Sequence, residues 1–205
     1  MRIGLKGVPI VVSAPSGAGK TTICKLIAEK YDNVLYSVSA TTRPPRDSET
    51  DGIDYFFLSR RKFERWIREG RFVEWAEVHG HYYGTPRELF EENLRKGYNV
   101  IMDIDVQGGS NIKKMYPEGI YIFLLTKNVN VLRERLSGRK TDSPSSIKKR
   151  LENARVELGY SNRYNYIVIN DKIEKTLNRI KAILTAESCS AKRNKEVIRM
   201  FKKNL

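Results

Sequence analysis

"APSGAGKT", residues 14–21, follows the apolar run "VPIVVS" (8–13) and precedes a helical stripe of Ile23, Leu26 and Ile27. A buried strand that runs into Ser16-Gly17-Ala18-Gly19-Lys20-Thr21 and then into a helix is the context of a phosphate-binding loop. The glycines let backbone N–H groups converge on phosphate oxygens, and the helix N-terminus adds positive potential. Lys20 neutralises the outer phosphates, while Thr21 or Thr22 offers a hydroxyl to Mg²⁺. Ala14 stands where the usual pattern has glycine, but it precedes the tight turn, so its methyl need not obstruct the cradle. The competing reading is a chance Gly/Ser/Lys turn before a helix.

Working outward, short apolar runs recur between helical periods. "VLYSVS" (34–39), "YNVIMDID" (98–105), "IYIFLLT" (120–126) and "YIVIN" (166–170) read, with 8–13, as buried parallel strands. Ile147, Leu151, Ala154 and Leu158 mark one further helix, with Ser143 as cap and Pro144 in its first turn; Ile173, Leu177, Ile180 and Leu184 mark another. The expected fold is α/β: a mainly parallel sheet covered by helices on both faces, with ligands at the carboxyl ends of its strands.

Residues 40–84 break that rhythm. "DYFFLS", "RFVEWAEV" and "GHYYG" read as short strands around a helix carrying Phe63, Trp66 and Ile67, an antiparallel insertion. "TPRELFEENLRKG" then returns to helix, with Thr85 and Glu88 spaced as a capping box and Gly97 as terminator. The expected layout is one domain over 1–205: core segments 1–39, 85–130 and 160–185, the insertion, a helical lid at about 131–159 and a basic tail, 186–205.

Lys and Arg number 38 against 24 Asp and Glu, a formal charge of +14, which fits a nucleic acid, a membrane surface or a small polyanionic substrate. The segment "AKRNKEVIRMFKKNL" holds six Lys/Arg and one Glu, so the tail biases the total; it reads as a solvated or loosely docked helix, with RNA or intersubunit contact as alternatives. Cys24 and Cys189 are far apart and lack metal-ligand spacing, which suits a reducing compartment. No apolar run reaches the ~20 residues of a membrane span. A soluble, cytoplasmic protein is expected.

Candidate chemistry clusters beyond the loop. Asp103 and Asp105 in "MDID" lie two apart, on one side of a strand, where one can hold the water shell of Mg²⁺; acidic turn formers are the alternative. Arg43 and Arg46 sit three apart in the proline-stiffened "SVSATTRPPR", where both forks could close on one phosphate unless the loop is a solvated edge. Tyr55, Tyr83 and Thr85 offer hydroxyls. Strand alternation puts Glu74 on one face with Phe72, Ala76 and Val78, and a carboxylate there wants a partner. Arg135, Arg139 and Arg150 lie in "RERLSGRKTDSPSSIKKRL", either a lid over a phosphate or a solvated basic face. His79 and His81 in "HGH" lack a third ligand and read as loop residues.

Taken in register, "SAPSGAGKTT", "SVSATTRPPR", "DGIDYFFLS", "FVEWAEVHGHYYGTPR", "DIDVQGG", "RERLSGRKTDSPSSIKKRL" and "YIVIND" resemble guanylate kinase over roughly residues 8–185. In that family the first loop position is often alanine. The resemblance implies Mg²⁺-dependent transfer of the ATP γ-phosphate to GMP, giving ADP and GDP, within purine nucleotide metabolism. It implies that ATP lies along Ala14, Pro15, Ser16, Gly17, Ala18, Gly19, Lys20, Thr21 and Thr22, with Asn170 near its adenine. Ser39, Arg43, Arg46, Tyr55 and Tyr83 would hold the GMP phosphate, and Glu74, Thr85 and Asp105 would read guanine. Guanine presents a ring N–H beside an exocyclic amine, two donors for one carboxylate, where adenine offers an acceptor. Lys20, Arg43, Arg135, Arg139 and Arg150 would stabilise the transferring charge, with Thr21 and Asp103 at the Mg²⁺. No general base is needed, because the acceptor is already an anion near neutral pH.

The pattern departs from the family at Lys140, where glycine is common, and at Lys172, where an acidic residue is frequent. ATP and GMP are the expected partners, with no obligatory nucleic acid, no membrane, and either a monomer or a homodimer. Competing readings are another nucleoside-monophosphate kinase, a non-catalytic scaffold domain that binds phosphopeptides, and an RNA-binding module.

Overall fold

A computed structural model describes residues 6–78, 80–137 and 144–205, with the backbone alone at 136, 137 and 144–148. In chain order the elements are β1 (Pro9–Ser13), α1 (Lys20–Lys30), β2 (Val34–Tyr36), β3 (Ala40–Thr41), β4 (Phe56–Phe57), α2 (Arg60–Arg68), β5 (Phe72–Val78), β6 (His81–Pro86) and α3 (Arg87–Arg95). There follow β7 (Asn99–Asp103), α4 (Val106–Met115), β8 (Ile120–Thr126), α5 (Val129–Ser137), α6 (Pro144–Leu158), β9 (Tyr166–Asn170), α7 (Ile173–Ser188) and α8 (Lys195–Asn204).

Five strands form a parallel sheet in the order β2-β7-β1-β8-β9. Alternation of side chains across this sheet sorts its residues into two cores. Ile10 and Val12 of β1 pack with Ile101, Ile122, Ile23 and Cys24 of α1, and Leu177 and Ile180 of α7. Val11, one residue out of phase, packs on the opposite face with Val100, Met102, Phe90 and Leu94 of α3, and Ile112 of α4. Each such side chain, fully buried, contributes about 1.5–3 kcal/mol. Helices cover both faces, as the sequence leads one to expect. The chain leaves β1 for β2 on one side and later crosses to β8 on the other, so the carboxyl ends of β1 and β7 flank a switch point, where open α/β sheets hold ligands.

A second, four-stranded sheet runs β4-β3-β6-β5. Its β3–β6 and β5–β6 ladders are antiparallel, and the two-residue β3–β4 ladder at its edge is parallel. Helix α2, capped by the Ser59 side chain, lays Phe63 on this sheet, where it stacks on Phe72 at 4.3 Å and Tyr82 at 5.3 Å between ring centroids.

Two local expectations are corrected. A register shift between Phe72 and Glu74 inserts one extra residue in β5, so Phe72 joins Phe63 and Trp66 while Val73 enters the main core. The bulge breaks the alternation that would have put Phe72 and Glu74 on one face. Thr85 does not cap α3: the helix starts after Pro86 with no side-chain cap, and the Thr85 hydroxyl donates to Glu74 instead. Ser143, Gly138, Arg139, Lys140 and His79 lie outside the described residues.

Candidate functional site

The loop between β1 and α1 turns through Gly17 and Gly19, whose φ angles of 83° and 87° lie in the left-handed region that side chains rarely adopt. Gly19 is the N-cap of α1 and provides no side chain, so the first-turn N–H groups of this 11-residue helix have no side-chain cap. Ala14 is buried in the main core, in the same cluster as Ala18 of the loop. The loop is braced from behind: the Asn170 amide, buried at the end of β9, donates to the Ala18 carbonyl at 2.8 Å and accepts from Thr176 at 3.1 Å. Arg135 of α5 reaches the same carbonyl at 3.4 Å.

Charge around the loop shows what it attracts. The Glu157 carboxylate, on α6, accepts from the Ser16 N–H at 3.4 Å. Burial raises its pKa, and nearby Lys20 opposes that rise. Lys20 donates to the Ile104 carbonyl at 3.0 Å, which places its ammonium at the end of β7. Thr21 hydrogen-bonds one oxygen of Asp103, and Tyr36 donates to the other at 2.7 Å. Strand β7 ends at Asp103. Asp105 therefore sits off the strand as N-cap of α4, accepting from Gln107 N at 2.6 Å and Gly108 N at 3.1 Å.

Between the two sheets lies a cavity of about 160 Å³ lined by Lys20, Thr21, Ser39, Tyr55, Glu74, Tyr83, Asp103 and Asp105, with Val78, Gly84 and Ile104. Glu74 is buried, and one carboxylate oxygen takes the Thr85 hydroxyl at 2.7 Å. Burial pushes its pKa up to about 7, with Asp105 adding to the rise and Thr85 opposing it. Its other oxygen passes close to α4: a Cβ on Gly108 would fall 2.5 Å from it. Tyr55 and Tyr83 meet edge on, 6.1 Å between centroids, and burial raises the Tyr55 pKa to about 12.

Arg43 lies against this aromatic pair, its guanidinium 5.4 Å from the Tyr55 centroid. One of its nitrogens, Nη2, donates to both oxygens of Glu49 at 2.8 and 2.9 Å, and Nη1 donates to the Pro44 carbonyl at 2.6 Å. Arg46 gives its backbone N–H to Glu49 at 2.8 Å, while its more exposed guanidinium stands 3.6 Å away. Burial favours the neutral acid of Glu49, but the Arg46 N–H and the Arg43 guanidinium outweigh it and hold the carboxyl below its ordinary range.

Of the candidates, Lys20, Thr21, Ser39, Tyr55, Glu74, Tyr83, Asp103 and Asp105 line one cavity and Arg43 and Thr85 touch its lining, whereas residues 14–19, Arg46 and Asn170 do not line it. Thr22 is exposed on α1, Arg150 lies on α6, and Arg139 lies outside the described residues. Sequence reasoning missed Glu49, Gly108 and Glu157. Gly108 stands inside the quoted "DIDVQGG" and Glu49 three residues after Arg46, so their local signals were present without an assigned role. Among the described residues no three or more His, Cys, Asp or Glu side chains form a metal-holding group, and no helix is long and apolar enough to cross a membrane.

Comparison with known proteins gives a consistent result. The family model described as guanylate kinase matches residues 6–187. A guanylate kinase of Caldanaerobacter subterraneus subsp. tengcongensis is 47% identical, over 96% of each chain. One of Carboxydothermus hydrogenoformans is 45% identical over 92% of each. Among solved structures, the guanylate kinase of Anaplasma phagocytophilum superposes with a TM-score of 0.79 at 35% identity, covering 92% of this chain and 90% of its own.

Proposed function

The chain belongs to the guanylate kinase family and is an ATP:GMP phosphotransferase; within that activity, we propose that the cavity between the two sheets holds the acceptor GMP while the 14–22 loop holds ATP. The observation that carries this reading is the shared lining: Lys20 and Thr21 of the phosphate loop border the same cavity as Glu74, Tyr55 and Tyr83. Donor and acceptor phosphates would meet there.

On the donor side, backbone N–H groups at the start of α1 and the Lys20 ammonium stabilise the outer phosphates of ATP. The attraction of the loop for the Glu157 carboxylate supports such a role. On the acceptor side, Arg43, Arg46, Tyr55, Tyr83 and Ser39 hold the GMP phosphate in line with the γ-phosphate. Glu74, oriented by Thr85, accepts from the two adjacent donors of guanine, and Asp105 completes its recognition. Arg135, beside the loop, neutralises charge as the phosphoryl group moves, with Arg139 and Arg150 assigned the same task. Positioning and neutralisation suffice for a transfer between phosphates, since the acceptor oxygen carries no proton that a base must remove.

A divalent cation fits the donor set. Thr21 and Asp103 are hydrogen-bonded to one another beside Lys20, and oxygen ligands of this kind suit Mg²⁺. When bound, Mg²⁺ neutralises phosphate oxygens of ATP. Free Cys24, fully buried, and free Cys189 suit a reducing cytoplasm.

The decisive experiment is a coupled ADP-release assay with GMP, AMP and dTMP in turn. GMP is expected to be preferred over AMP by about 10⁴-fold in kcat/KM, because adenine would set a ring acceptor, where guanine has an N–H, against the buried Glu74 carboxylate. Comparable turnover of AMP would refute the role given to Glu74.

A further inference from the structure

Glu49 stands in a turn, in no helix or strand, closed by its own N–H to the Arg46 carbonyl at 2.9 Å. Yet it is one of the better buried carboxylates near the cavity: its side chain is 12% exposed and that of Arg43 is 14% exposed, against 59% for Arg46. Three separate donors converge on it: the Arg43 guanidinium, the Arg46 backbone N–H and, more loosely, the Arg46 guanidinium.

Two roles are physically open to such a carboxylate. It can occupy the arginines in place of a phosphate, and so compete with it, or it can hold them ready. The bonding pattern decides between them. Both Arg43 bonds to Glu49 come from the single nitrogen Nη2, and Nη1 is directed to the Pro44 carbonyl. The flat face of the guanidinium rests toward Tyr55 and Phe57, at 5.4 and 5.9 Å from their centroids. An arginine side chain otherwise has several rotatable bonds to immobilise before it can bind. Here one corner, one side and one face are already fixed by the protein, at the edge of the Tyr55–Tyr83 pair. Two arginines against one carboxylate also leave a net positive charge for a dianion.

We infer that Glu49 is a positioning residue for the acceptor: its carboxylate ties Arg43 and the 43–49 turn into the geometry in which Arg43, Tyr55 and Tyr83 receive the phosphate of GMP. This rests on the acceptor site proposed above, and deepens it.

The test is steady-state kinetics on the full chain, varying GMP and ATP separately, for Glu49→Ala, Glu49→Gln and Arg43→Ala, with a thermal melt of each. Glu49→Ala is expected to raise KM for GMP about tenfold, the scale of one charge-assisted hydrogen bond, with KM for ATP within about twofold. Glu49→Gln, which keeps an acceptor oxygen of the same shape, is expected to recover part of that loss and to fold even where the alanine variant does not. A fall in KM for GMP in the glutamine variant would show a competing carboxylate and overturn the inference. So would an unchanged KM for GMP in both variants, or an equal rise in both Michaelis constants. Arg43→Ala separates the two levels: an unchanged KM for GMP there refutes the acceptor site itself, whereas a large rise there beside silent Glu49 variants refutes the inference alone.

Discussion

The two nucleotide sites proposed for this enzyme are built differently. The proposed donor site lies along one unbroken stretch, residues 14–22, where two left-handed glycines and an uncapped helix start present backbone N–H groups. The proposed acceptor site draws on side chains from segments far apart in the chain: Ser39 and Tyr55 just before β3 and β4, Arg43 after β3, Glu74 and Tyr83 from the β5–β6 hairpin, and Asp105 at the start of α4. The first rests mainly on local conformation, with Asn170 and Arg135 bracing it at the Ala18 carbonyl. The second requires the two sheets to be packed together, and two of its polar groups have partners of their own: Glu74 bonds Thr85, and Arg43 bonds Glu49.

If that contrast holds, disturbing each side should affect a different kinetic constant. The largest effect is expected from Lys20→Ala, which removes the one charged side chain within residues 14–22 and leaves the loop backbone intact. Turnover should fall by about 10³-fold, as for loss of a strong electrostatic stabiliser of the transition state, while the fold survives by circular dichroism. Turnover close to that of the unaltered chain would remove the loop from the mechanism.

A smaller and more selective effect is expected from Gly108→Ala. The new methyl would fall 2.5 Å from the other oxygen of Glu74 and 3.2 Å from its carboxyl carbon, so the carboxylate must shift. KM for GMP should rise about tenfold, the scale of one disturbed charged hydrogen bond, with KM for ATP nearly unchanged. A matching rise for ATP would show that the two grips are not separable in this way.

The smallest effect sharpens the comparison through pH. Burial lifts Glu74 from 4.5 to about 7 in the folded chain, so the native state binds this proton more tightly than the unfolded one. Its contribution to stability is thus fully present below pH 4.5 and is lost as pH rises through about 7. Binding of GMP runs the other way, since only the ionised carboxylate accepts both guanine donors. KM for GMP should improve about three- to tenfold between pH 6 and 8, and the Tm should decline over the rise to pH 7, each relative to Glu74→Gln. Referring both to the glutamine variant cancels the titration of the GMP phosphate itself, near pH 6. Profiles parallel to those of the variant would show that Glu74 does not titrate in this range.

The same contrast explains what could be read in advance. The five parallel strands were legible because each is a short apolar run whose alternate residues face two cores, as Val11 does between Ile10 and Val12. The proposed acceptor residues were legible as a set only through resemblance to a family. The errors fell where a long-range partner outbid a local pattern. Thr85 and Glu88 have the spacing of a capping box, but Thr85 is opposite Glu74 in the β5–β6 ladder and a buried carboxylate claims its hydroxyl. Phe72 and Glu74 have the spacing of one strand face, but the extra residue at the bulge turns Phe72 toward α2. Gly108 and Glu49 were visible as letters and silent as chemistry, since the roles proposed for them depend on partners that only the fold brings beside them.

By itself, the sequence determined the parallel α/β core and the donor loop, because hydrophobic period and glycine conformation act over a few neighbouring residues. Which oxygen of Glu74 is held, which nitrogen of Arg43 is spent, and which corner Asp105 caps were decided only by the tertiary structure. Those outcomes depend on burial and on hydrogen-bond partners brought together from distant parts of the chain, and a buried polar group takes whichever partner packing delivers.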